Sequence, residues 1–161
     1  AEIEEVCGGS SPTATDLFEL DYLGWVVDET MRLYPPAYTI FREPTTDVTI
    51  QGYDVSPGET LSLPQYVVHR DGRWYDAPAQ FRPERWADGL RETLPDYAYY
   101  PFGGGPRHCI GMRFALMEAQ LVLATLVQRY QFSPVTEPPL DLAMQITLQP
   151  DDDVTVGLTE R

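Results

Sequence analysis

The chemistry-bearing residues of this sequence crowd into one decapeptide, Phe102-Gly103-Gly104-Gly105-Pro106-Arg107-His108-Cys109-Ile110-Gly111. A glycine-rich turn there brings backbone N–H groups around one cysteine, at the start of a long helical segment. Those donors and the positive end of the helix stabilise a thiolate. An unpaired thiolate of this kind is a nucleophile, a redox sensor or a metal ligand, and the plain alternative is an inert buried cysteine. A second group, Glu29-Thr30-Met31-Arg32, has the i,i+3 spacing that puts both charges on one helix face. Alone it would be an ion pair worth about 0.3 kcal/mol. A third, Phe81-Arg82-Pro83-Glu84-Arg85-Trp86, adds two more arginines. Other chemistries drop out. All 11 cations are arginine, so no lysine exists for a phosphate loop, a kinase strand or a Schiff base. His69-Arg70-Asp71 lacks the asparagine a kinase loop needs. The three glycines have no strand–helix unit with an acidic partner behind them. Cys7, His69, His108 and Cys109 have no zinc-pair spacing.

Phe102, Gly105, Arg107, Cys109 and Gly111 match F-x-x-G-x-R-x-C-x-G position for position. The segment resembles the cysteine loop of the cytochrome P-450 family of haem-thiolate monooxygenases. The resemblance implies haem b as cofactor, Cys109 as axial ligand to its iron and Phe102 packed beside the sulfur. It implies Arg107 on a haem propionate, a contact suited to the guanidinium fork. Gly105 and Gly111 would permit the turn and the close haem approach. His108 falls at a variable position and is not expected to be a ligand. Glu29 and Arg32 are similar to the family's E-x-x-R helix. Residues 81–86 are similar to its F-x-P-E-R-F segment, with Trp86 in place of the last Phe. The implied buried triad of Glu29, Arg32 and Arg85 serves folding and haem retention rather than bond chemistry. Arg42 matches a second propionate-binding arginine, and His69-Arg70-Asp71 with Trp74 fits the stretch before the F-x-P-E-R segment.

The same resemblance places the substrate pocket at Ala37, Tyr38, Thr39, Ile40, Gln145 and Ile146, with ordinary strand packing as the alternative. Their apolar character suggests a small lipid-like or terpenoid-like substrate. Thiolate donation from Cys109 would favour O–O cleavage, so that one oxygen atom of dioxygen enters the substrate. The implied partners are a ferredoxin-type electron donor and its reductase, with Arg113 as a docking candidate. No side chain present is an obvious acid or base. Two alternatives stand beside this reading: an inactive remnant or split-gene partner, and a haem-free thiol redox protein.

The positioning elements follow from pattern. Residues 1–6 read as a helix tail broken at Gly8-Gly9, and Thr15 or Asp16 can cap a short helix through Leu20. From Asp21 an amphipathic segment sets Leu23, Val26, Val27 and Met31 on one face and ends at Pro35-Pro36. Residues 38–63 are strand-like, with Val48 and Ile50 alternating with polar neighbours and turns at Gly52 and Pro57-Gly58. A long irregular stretch over 64–101 is of the kind that usually carries function. A helix over 112–131 is apolar on every side and should be buried on every side. Short strands follow over 132–161. The expected fold is mainly α with small β-sheets, the C-terminal portion of the cytochrome P-450 fold: E-x-x-R helix, β-hairpins, meander, cysteine loop, long final helix and C-terminal β-hairpin.

With 161 residues, one domain is the natural size. The chain is expected to be the C-terminal fragment of that domain, since it lacks an initiator Met and the family's central helix with its acid–alcohol pair. The missing N-terminal part would be its partner, and the isolated chain would be inactive. The formal net charge of -14 excludes a nucleic-acid surface and suggests a halophilic, salt-screened protein. Two cysteines make no disulfide framework, the acidic start is unlike a signal peptide, and no stretch approaches a membrane span. A cytoplasmic location is therefore expected.

Overall fold

The structure, a computed structural model, describes residues 2–137 and 139–161. Helix α1 (Glu2–Cys7) stops at Gly8 and Gly9, both at positive φ. A 3-10 turn at Asp16–Phe18 follows, and neither proposed cap acts as one. Thr15 has helical φ and ψ rather than the extended backbone of an N-cap. Asp16 instead accepts from the N–H and Oγ1 of Thr13, at 2.7 and 2.8 Å.

Helix α2 (Asp21–Leu33) has an acidic first turn and Arg32 in its last, both favourable to the helix dipole. It ends where Tyr34 leaves helical space ahead of Pro35. Its inner face buries Leu23, Val27 and Leu33 together with Glu29 and Arg32. Buried charges require partners, so this helix dictates what lies against it.

Helix α5 (Met112–Arg129) crosses α1 and α2 at the apolar core, where Ala124 is fully buried against Leu20 and Leu23. Ile3, Val6, Leu17 and Leu123 surround them. Burial on every side of α5 is not reached among the described residues. Phe114 and Val122 remain 63% and 53% exposed, because the described neighbours lie against one face only.

Between these helices the chain makes small antiparallel ladders. β1 (Ile40–Arg42) pairs with β4 (Leu61–Leu63), setting Ile40 opposite Leu63 and Arg42 opposite Leu61. β2 (Val48–Ile50) and β3 (Tyr53–Val55) form a hairpin through Gln51-Gly52, both at positive φ, as a tight two-residue turn requires. The alternation in β2 sorts no faces, since the whole strand is exposed. β5 (Tyr130–Pro134) continues from α5 and pairs with β8 (Val156–Glu160). β6 (Leu142–Met144) and β7 (Leu148–Pro150) form a hairpin tied to the segment after α2. The Leu148 N–H donates to Pro36 O at 2.8 Å, and Tyr38 Oη donates to Gln145 O at 2.9 Å.

The stretch from Pro64 to Gly111 holds only α3 (Gln65–Val68), α4 (Leu90–Thr93) and 3-10 turns at Pro83–Trp86 and Gly105–Arg107. Side chains rather than ladders hold it in place. The whole is a mixture of helices and small sheets, and among the described residues no helix is long and apolar enough to cross a membrane.

Candidate functional site

A buried polar cluster is built on Glu29, fully buried on α2. Arg32 Nε and Nη2 donate to its two oxygens at 2.9 Å each, a bidentate pair one helical turn long. Arg85 Nε donates to Oε1 at 2.9 Å, the Arg82 N–H to the same atom at 2.9 Å, and Trp86 Nε1 to Oε2 at 3.0 Å. The arginines then reach outward to backbone. Arg32 donates to the carbonyls of His69, Pro78 and Gln80, and Arg85 to those of Asp76, Ala77 and Gln80. Burial pushes the Glu29 carboxyl up, but bonds from Arg32, the Arg82 amide and Arg85 outweigh it and hold the group below the usual carboxylate range. Glu29, Arg32 and Arg85 are thus brought together from two distant segments.

Beside this hub lies a cavity of about 300 Å³ with the Cys109 thiol on its wall. Met31, Ala37, Ile40, Pro101 and Phe102 make an apolar lining, Arg42 and Arg107 bring two guanidiniums, and Gln65 adds one buried amide. Four parts of the chain converge here: the end of α2 with the segment after it, strand β1, the residue that begins the short helix after β4 (Gln65), and the loop before α5. The loop is shaped by Gly103 and Gly105 at φ 73° and 66°, values an L side chain adopts only with strain. The Cys109 N–H donates to Phe102 O at 2.9 Å, closing the loop on itself and leaving the thiol exposed. Among the described residues no backbone N–H lies within hydrogen-bond geometry of its Sγ. Three N–H groups of the loop are spent within it: that of Cys109 on Phe102 O, that of His108 on Gly105 O and that of Gly103 on Tyr100 O.

The remaining residues singled out from the sequence fall as follows. Gly111 has φ −84°, open to any residue, and a Cβ there would sit 3.9 Å from Cys109 Sγ. His108 is exposed, with Nδ1 2.9 Å from Gly105 O. Arg42 Nη1 donates to Phe41 O at 2.8 Å. Of the pocket residues, Ala37 and Ile40 line the cavity with Cys109. Tyr38 and Gln145 meet each other, and Thr39 Oγ1 lies 2.9 Å from Ser62 Oγ. Ile146, at the tip of the β6–β7 hairpin, is 98% exposed. Sequence reasoning passed over Met31, Pro101 and Gln65 as cavity residues. Pattern carries no mark for them, because their approach to Cys109 depends on the path of an aperiodic loop.

An exposed thiol, apolar walls and two guanidiniums suit a flat apolar ring that carries a soft-ligand metal and two carboxylates. Comparison with known proteins runs parallel to this geometry. The sequence model of the family described as Cytochrome P450 matches residues 1–155. Cytochrome P450 3A29 of Sus scrofa is 41% identical over 163 aligned positions, covering 99% of this chain and 32% of the relative. Cytochrome P450 3A11 of Mus musculus is 37% identical over 163 positions with the same coverage. Cytochrome P450 3A1 of Rattus norvegicus is 40% identical over 152 positions, covering 93% of this chain and 30% of the relative. The chain therefore spans about a third of the length of these curated relatives.

Proposed function

Because the chain belongs to the cytochrome P450 family, we propose that it forms the thiolate side of the haem pocket of a monooxygenase. The observation that carries this reading is the exposed Cys109 thiol, set in an apolar cavity between two guanidiniums. When bound, thiolate-ligated haem b supplies the activation of dioxygen and the transfer of one oxygen atom to an organic substrate. Cys109 would hold the iron. Arg42 and Arg107 would neutralise the propionates, and Phe102, Met31 and Ile40 would keep water from the ring. Ala37 and Ile40 are the pocket candidates nearest this cavity, and their apolar side chains favour a small apolar substrate.

The Glu29–Arg32–Arg85 hub has no reactive role in this scheme. It fixes the irregular chain beside the cavity. The walls on the oxygen-activating side would come from sequence beyond these residues, a view supported by the chain's one-third coverage of its relatives and the open apolar face of α5. Electrons would come from a ferredoxin-type donor and its reductase. The acidic, lysine-free composition suits a salt-rich cytoplasm.

The test is the carbon monoxide difference spectrum of the reduced, haem-loaded enzyme. The red-shifted Soret band of thiolate ligation is expected, and Cys109→Ser should abolish it. Survival of the band in that variant would assign the iron another ligand and end the proposal.

A further inference from the structure

Behind the cavity wall, one short helix grips the approach to the cysteine loop from both sides. Gln65 begins α3 and His69 caps it, one helical turn apart, and both are fully buried. His69 Nε2 accepts the N–H of Tyr100 at 2.9 Å, while Gln65 Nε2 donates to the C=O of the same residue at 2.7 Å. The two backbone groups of Tyr100 are thus satisfied by side chains of α3, in a region with no ladder to satisfy them. The His69 ring lies against both Tyr99 and Tyr100, at 5.3 Å between centroids in each case. Its carbonyl accepts from Arg32 Nη1 at 2.8 Å, which joins the grip to the Glu29 hub. On the other side, Tyr100 O also accepts the Gly103 N–H at 2.9 Å, and two residues on, Phe102 O accepts the N–H of Cys109.

We propose that His69 and Gln65 are positioning residues for Cys109, holding the Tyr100 backbone from both sides and so fixing where the turn delivers the thiol. The residue types are specific to the task. An imidazole accepts at Nε2 only when that nitrogen is unprotonated, and burial with the nearby Arg32 charge pushes the His69 pKa down to about 4. Residue 65 must donate, which glutamine does and glutamate or leucine does not. Gln65 also reaches the cavity itself, and its buried Oε1 has no partner among the described residues. The grip rests on the monooxygenase reading only in naming the delivered thiol a haem ligand; its hydrogen bonds belong to the polypeptide alone.

Residue-resolved hydrogen exchange on the intact enzyme, with and without haem, tests it together with the alkylation rate of Cys109 in the haem-free form. In His69→Leu, exchange at Tyr100 and Cys109 should rise by about tenfold or more, against about twofold for amides in α2 and α5. Alkylation should quicken in parallel. Gln65→Leu should do the same. His69→Gln, which restores an acceptor, should return Tyr100 and Cys109 to within about threefold of the parent protein. Leucine variants no more labile at Tyr100 and Cys109 than in α2 and α5 would overturn the proposal. So would a His69→Gln protein that folds without recovering protection. If neither leucine variant folds, His69→Gln decides alone: retained protection supports the grip, and lost protection or failure to fold defeats it. A missing thiolate band alongside the expected exchange pattern would sink the haem reading and leave the grip standing.

Discussion

Glu29 accepts five hydrogen bonds from four residues, three on Oε1 and two on Oε2. A carboxylate so occupied has no lone pair left for water and needs none, which is how a full charge survives at zero exposure. Replacing it by glutamine keeps the shape but leaves two buried guanidiniums without their counter-charge. Urea unfolding of Glu29→Gln should show a loss of about 3–5 kcal/mol. Asp71 offers the control. It also pairs with an arginine, but Arg73 stands 75% exposed, and Asp71→Asn should leave the unfolding midpoint where it was. The Glu29–Arg32 half of this chemistry was legible in the sequence, because i,i+3 spacing on an amphipathic helix has one geometric meaning. The contributions of Trp86 Nε1 and the Arg82 amide were not. They depend on the course of residues 76–86, where no period exists to read.

Among the elements, the helix limits were the most legible. Gly8-Gly9 and Pro35-Pro36 end α1 and α2 for reasons local to the chain. The cysteine loop was legible as a turn but not in its details. In a run of three glycines, only the backbone distinguishes Gly103 and Gly105, at positive φ, from Gly104, which is extended. His69 was harder still, since its partner lies 31 positions away in sequence. The loop that wraps the Glu29 hub carries a strain of its own, for Ala77 sits at φ 45°. Ala77→Gly should therefore raise stability by about 1 kcal/mol, and a β-branched residue there should lower it. Thermal unfolding of the two variants, compared with the parent, checks both signs.

Across the whole molecule, charge and burial set the response to conditions. The His69 pKa is pushed from 6.5 down to about 4, so the folded chain binds fewer protons than the unfolded one between those values. Its contribution to stability is complete above the unfolded pKa and is lost progressively as pH falls toward about 4, on the order of 3 kcal/mol in all. Glu29, held low, adds a further loss at more acid pH, while Asp28, raised by burial despite Arg91 and Tyr99, opposes it. Stability measured from neutral to acid pH should fall across this window, and His69→Gln should flatten the upper part of the slope. Salt acts on the net charge of -14. Raising KCl from physiological to molar levels shortens the screening length from about 8 to about 3 Å and should raise the unfolding midpoint. Greatest stability in dilute buffer would contradict that.

Arg32 and Arg85 hydrogen-bond the wrapping segment through the carbonyl oxygens of Asp76, Ala77, Pro78 and Gln80, together with that of His69. Every amino acid carries that oxygen. The segment is thus recognised by its contour and not by its letters, and substitutions through residues 76–80 should be absorbed wherever they respect the local backbone. Adding or removing one residue is another matter, because it would move each acceptor out of step with two buried guanidiniums that Glu29 alone cannot satisfy.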